Sequence, residues 1–246
     1  MSKIIFLGKN EAYQYLISSE GFYPNLTLNQ PLMYKIKYGF PSATKITDIV
    51  ANSVRDFTQM EKDRIIRLTE MAENAMSKHP EFPKTEWVYI KVSNNYEFGF
   101  PHTVNGVIVL PERVINRLTV ETIIHEKIHV LQRIYPEIFR KFYISKYKLL
   151  PHKYKISDQY LVVNPDGTQN NWGYRLKNGD FLVPYCRYTN SGLQTYGGVF
   201  KNDKLIFQGP APQEYISKFP VSQIYHPNEI SAIDITNYIL KGKYLI

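Results

Sequence analysis

The sequence predicts an α+β fold, with helices packed on a small mixed sheet and a hairpin-rich insertion after them. Three observations lead there. Two apolar stripes of helical period, over about 59–78 and 119–134, bracket two short extended runs. Beyond residue 157, turn dipeptides separate short β-forming segments. The chain has 246 residues, 43% apolar and 21% charged, which suits one large globular domain. We divide that single domain 1–246 into an N-terminal segment (1–44), a helix-and-sheet core (45–156), a β-rich insertion (157–225) and a C-terminal helix (226–246).

The N-terminal segment opens with a short apolar run at 4–7 and a helix at about 10–18, then becomes rich in Pro and Asn. Thr58-Gln59-Met60-Glu61 is a capping box, because the threonine oxygen can accept from a free amide while Glu61 reaches back. Ile65, Leu68, Ala72 and Ala75/Met76 mark the buried stripe of the helix it opens. His79-Pro80 ends that helix, since the residue before proline is pushed out of helical geometry. Residues 86–92 and 106–110 then read as strands. A helix begins near Thr119, and Pro136 starts another that runs to about Lys146.

In the insertion, Tyr160–Val163 leads into the turn Asn164-Pro165-Asp166-Gly167. Asn178-Gly179 joins Trp172–Leu176 to Phe181–Arg187, and Lys201–Lys204 joins Tyr196–Phe200 to Leu205–Gln208. Pro184 places its strand at an edge or a bulge. Pro227 and Gly242 bound the last helix.

Composition narrows the function classes. One cysteine, Cys186, excludes an internal disulfide and any Cys-rich zinc module. Thirty Lys and Arg against 22 Asp and Glu give +8, and 20 Tyr with 13 Phe add aromatics, so a nucleic-acid partner must be weighed. Seven basic residues between Arg133 and Lys155 alternate with Tyr135, Phe139, Phe142, Tyr143, Tyr147 and Tyr154. That pattern suits a phosphate-contacting surface, and it suits better an amphipathic helix with aromatics inward and lysines solvated. The apolar start is too short for a signal peptide and no run reaches about 18 apolar residues, so a soluble, intracellular protein with no membrane partner is expected.

The chemistry concentrates in His125-Glu126-Lys127-Ile128-His129. Four residues along a helix turn about 400° and rise about 6 Å, so both imidazoles leave one face. Two neutral ring nitrogens can then bind one Zn²⁺ at about 2.0–2.1 Å. Glu126 stands beside the first ligand, placed to take a proton from metal-bound water. With six histidines in the chain, chance would set this HExxH pattern in about one such sequence in a hundred.

On these residues the chain resembles the zincin metallopeptidases over roughly 45–135: a long helix, a small sheet, then the HExxH helix. Lys127 departs from that family's usual uncharged residue, and a lysine can snorkel from a helix flank. The metzincin-like continuation fails, because Gln132 and Tyr135 stand where glycine and histidine would be. The gluzincin-like one finds Asn228-Glu229 at the start of the last helix, which implies Glu229 as third ligand. An acid there is also favoured by the helix dipole alone. His226, His152, His102 or an aspartate are the other donors. The family's helping aspartate would fall at Ile233, with Asp234 one step late. His125–Arg133 is also similar to stretches in uncharacterised peptidases of large DNA viruses, which would put the protein in the virion or host cytoplasm.

The resemblance implies a metallopeptidase holding one Zn²⁺ and hydrolysing peptide or protein substrates, with Glu126 as general base. His226, Tyr185 and Tyr196 are candidates for stabilising the oxyanion or touching substrate, and the 106–110 strand for holding an extended peptide. The rival readings are a basic protein associated with nucleic acid, a protease of nucleic-acid-bound proteins, or a zincin-like shell without activity.

Overall fold

The computed structural model describes residues 2–18, 45–158, 161–162, 165–166, 172–189, 191–221 and 223–246. These form eight α-helices and two sheets, an α+β architecture. Of the expected Tyr160–Val163 strand and the turn after it, Tyr160, Val163, Asn164 and Gly167 lie outside the described residues; Leu161, which is described, makes an isolated bridge to Arg187. No helix among the described residues is long and apolar enough to cross a membrane.

The chain divides into two compact units, one running to Ile134 with Ile239–Gly242, the other Tyr135–Tyr238 with Lys243–Ile246. The first holds a sheet of β1 (Ile4–Phe6), β2 (Val54–Arg55), β3 (Trp87–Val92), β4 (His102–Val104) and β5 (Val107–Pro111). Its order is β1-β3-β5-β4, with β2 also paired to β3. β3 runs parallel to β1 and β5, and β4 runs antiparallel to β5. Strand β3 is buried on nearly every residue, as an interior strand covered on both faces must be.

This order corrects the expectation for 106–110. Strand β5 pairs with β3 across 107–111 and with β4 across 107–109, so both its sides are taken over 107–109. Among the described residues this order ends on β1 and β4, and β4 is the end strand that lies beside β5. The cause is local: Asn105, with φ 49°, and Gly106 make a two-residue hairpin turn that folds β4 back onto β5.

The helices of this unit are α1 (Lys9–Ile17), α2 (Ile46–Ser53), α3 (Gln59–Met76), α4 (Glu112–Ile115) and α5 (Val120–Ile134). The capping box opens α3 as expected: Thr58 Oγ1 accepts from the Glu61 amide at 3.3 Å, and Glu61 accepts from the Thr58 amide at 2.7 Å. Its buried face is Ile65, Thr69, Ala72 and Met76. Thr69 takes the central place assigned to Leu68, because its hydroxyl donates to the Ile65 carbonyl at 2.7 Å and meets the Tyr89 hydroxyl at 2.8 Å.

In the second unit, α6 (Pro136–Lys141) runs into a π-helical turn at Phe142–Lys146. An antiparallel sheet follows in the order β10-β9-β8-β7-β6, made of Leu149–Pro151, Trp172–Arg175, Phe181–Thr189, Gly192–Lys201 and Lys204–Pro210 for β6 to β10. Both expected hairpins are present, and Gly179 supplies the positive φ (88°) of its turn. Pro184 lies in an interior strand, against expectation. It is tolerated because β7 pairs only with Phe181 and Leu182, leaving the β7 side of Pro184 outside that ladder. Strand β6, by pairing with β7, ties residues 149–151 to the hairpin sheet of the second unit. Helices α7 (Gln213–Ile216) and α8 (Pro227–Lys241) complete the chain.

The basic stretch resolves residue by residue. Phe139, Tyr143 and Tyr147 are buried, while Arg140, Lys141, Lys148, Lys153 and Lys155 are exposed. Lys146 is within 3.1 Å of Asp234 and lies over the Tyr244 ring. Those three aromatics face the interior, whereas Tyr135, Phe142 and Tyr154 are half-buried.

Candidate metal centre

Helix α5 carries the HExxH residues and is opened by Thr119, whose Oγ1 accepts from the Thr122 amide at 3.2 Å. Its apolar residues Ile123, Ile124, Ile128, Val130 and Leu131 are buried, which fixes the helix in the core of the first unit and with it the direction of its polar residues. His125 and His129 leave the same face. Their Nε2 atoms stand 3.1 Å apart, with ring centroids 4.7 Å apart and planes at 81°.

Two ligands at about 2.0–2.1 Å from a tetrahedral ion stand about 3.3 Å from each other. The observed Nε2 separation is close to that edge. The tautomer also fits. Nδ1 of His129 lies 2.8 Å from Oε1 of Gln132, an oxygen that can only accept, so the ring proton sits on Nδ1 and the Nε2 lone pair is left for a cation.

Glu126, between the two histidines, is 4% exposed. The Thr103 hydroxyl from β4 lies 3.1 Å from its Oε2 and 3.1 Å from its backbone carbonyl. Burial also governs Lys127, on another side of the helix. It does not snorkel: it is 2% exposed, with its ammonium donating to the carbonyls of Glu86 (2.5 Å) and Thr85 (3.3 Å) and resting 4.3 Å over the Trp87 ring. Desolvation pulls its pKa down to about 7, against a smaller upward pull from Glu73 and Glu86.

Glu229 lies in the first turn of α8 and is 1% exposed. His226, predicted as an oxyanion donor or alternative ligand, caps this helix: its Nδ1 accepts from the Asn228 amide at 3.1 Å, and its carbonyl accepts from the Ile230 amide. Asn228 is an anchor. Its Oδ1 accepts from the Tyr143 hydroxyl at 2.7 Å and its Nδ2 donates to the Asp166 carbonyl at 2.8 Å. Asp234 accepts from the Tyr147 hydroxyl (2.9 Å) and from the backbone amides of Leu245 (2.6 Å) and Ile246 (3.1 Å), and pairs with Lys146.

One group of at least three His, Cys, Asp or Glu donors among the described residues is tight enough to share a cation. It is His125, His129 and Glu229, whose donor atoms all lie within 4.8 Å of one another. Two imidazoles and a carboxylate are a donor set zinc accepts in catalytic sites, where a fourth position stays open.

The other sequence candidates have partners of their own. The Tyr185 hydroxyl donates to Asp158 at 2.8 Å and accepts from Gln208 at 3.2 Å, and burial raises its pKa. Tyr196 faces Tyr185 across the β8–β9 ladder, with the Arg187 guanidinium 4.9 Å from its ring centre. His152 stacks on Tyr154 and accepts from the Tyr154 amide, and His102 stacks on Tyr96. Sequence reasoning missed Thr103 and Gln132 as neighbours of the HExxH residues. Gln132 was legible, being one turn beyond His129 on the same face.

No protein-family model, curated protein or solved structure matches this chain.

Proposed function

We propose that the protein is a zinc-dependent metallopeptidase of zincin-like fold and gluzincin-like ligand set, in which His125, His129 and Glu229 hold one Zn²⁺. The observation that carries this reading is the convergence of those three donors within 4.8 Å around an HExxH helix. Independent support comes from the His129–Gln132 hydrogen bond, which presents Nε2 in its ligating form.

Zinc, when bound, supplies a Lewis acid that brings the pKa of a water toward about 7 and polarises a substrate carbonyl. Glu126 does the proton work. Its carboxylate takes the proton released as the water attacks and delivers it to the amine leaving group, so the peptide bond breaks with no net change in the enzyme. Burial of Glu126 at 4% exposure keeps bulk water from competing for that proton. The edge strand β4, beside α5 through the Thr103–Glu126 contacts, is suited to pair with an extended peptide by main-chain hydrogen bonds.

The test is direct. The purified chain should bind one zinc ion and hydrolyse an unstructured protein, and Glu126→Gln should retain the zinc while losing hydrolysis by about 10²–10⁴-fold. Full activity in Glu126→Gln would sink the mechanism, and failure to bind zinc would sink the assignment.

A further inference from the structure

The proposed mechanism asks more of Glu126 than a carboxylate near a metal. The terminal torsion of a glutamate is broad and nearly two-fold, so a buried carboxylate needs something to hold its plane. In this protein one such partner comes from strand β4. The Oγ1 of Thr103 lies 3.1 Å from Oε2 of Glu126 and 3.1 Å from the backbone carbonyl oxygen of the same residue.

A single hydroxyl that touches both the end of a side chain and its own backbone is a clip. It refers the orientation of the carboxylate to the axis of α5, and the plane can turn only by breaking that contact. The clip is itself rigid. Thr103 is 0% exposed, it is paired with Ile108 in the β4–β5 ladder, and its β-branch restricts χ1. A hydroxyl also both donates and accepts, so the contact to Oε2 can persist whether or not the carboxylate holds a proton.

We propose that Thr103 is a positioning residue for the general base, holding the Glu126 carboxylate in the orientation that proton transfer requires. The assignment rests on the peptidase reading above. It adds that β4 supplies part of the catalytic arrangement as well as an edge. It also predicts a kinetic signature that a packing role would not produce: the turnover step suffers while metal and substrate binding do not.

The experiment compares wild type, Thr103→Val, Thr103→Ser and Glu126→Gln for zinc stoichiometry by atomic emission and for kcat and KM on a fluorogenic peptide. Valine keeps the shape and removes the hydroxyl, and serine keeps the hydroxyl and removes the methyl. Thr103→Val should hold one zinc per chain, keep KM within about twofold and lose kcat by about 10- to 100-fold, the scale of a misplaced catalytic group. Thr103→Ser should recover most of kcat. Should the valine variant not fold, Thr103→Ala must show the same split. A zinc-loaded Thr103→Val with kcat near wild type overturns the proposal, as does a serine variant as impaired as valine. If wild type and Glu126→Gln behave alike, the peptidase reading itself falls and takes this assignment with it.

Discussion

Gln132 Oε1 accepts the Nδ1 proton of His129 at 2.8 Å, one helical turn beyond the histidine that it orients. Histidine ligands commonly direct the non-ligating nitrogen at a carboxylate or a carbonyl, and in the proposed site a neutral amide would serve. Gln132→Leu should weaken zinc binding about 10- to 100-fold in a chelator competition titration, whereas Gln132→Glu should retain it. Unchanged affinity in the leucine variant would show that the bond does not set the tautomer.

Glu229 and Asp234 are both buried acids on α8, at 1% and 0% exposure, yet they should behave oppositely. Glu229→Ala should lose stoichiometric zinc with the fold retained. Asp234→Ala should keep the zinc and destabilise the protein by about 3–5 kcal/mol, because the Lys146 ammonium then loses its buried partner and the tail amides lose their acceptor. Metal analysis beside urea unfolding separates the two outcomes, and zinc loss from Asp234→Ala would give that residue the metal-supporting role doubted from the sequence.

His226 caps α8 through its Nδ1. His226→Ala should cost about 1 kcal/mol in chemical unfolding, and His226→Asn should return most of it, since asparagine is among the best capping residues. A variant as stable as wild type but slower in hydrolysis would return His226 to the oxyanion role.

Lys127 makes stability depend on pH. Its pKa is held down at about 7 by burial, against 10.5 unperturbed. Below pH 7 folded and unfolded chains both carry the proton, and the cost of the buried ammonium is complete. Between 7 and 10.5 the unfolded chain binds a proton that the folded chain does not, so stability rises with pH, by at most about 1.4 kcal/mol per pH unit. The gain in melting temperature from Lys127→Met should therefore be largest near pH 6 and shrink toward pH 10. A difference independent of pH would refute the depressed pKa.

Local pattern made much of this protein legible. The capping box at Thr58, the histidine spacing on α5 and the Asn178-Gly179 hairpin each depend on residues within a few positions of one another, and each is present. Asn105-Gly106 carried the same kind of signal. Read as a hairpin turn, it would have revealed β4 and shown that 106–110 is paired on both sides over 107–109.

The sequence by itself determined the α+β class, the two imidazoles on one helical face and the glutamate between them, because helical periodicity ties spacing to direction. Only the tertiary structure decided that β4 ends the sheet beside β5, that Thr103 meets Glu126 across 23 positions of sequence, that Lys127 is buried, and that the donor atoms of Glu229 and of histidines 100 and 104 residues before it lie within 4.8 Å of one another. Those outcomes depend on which elements pack together, and packing is settled by the burial of whole faces, a quantity that no short stretch of residues contains.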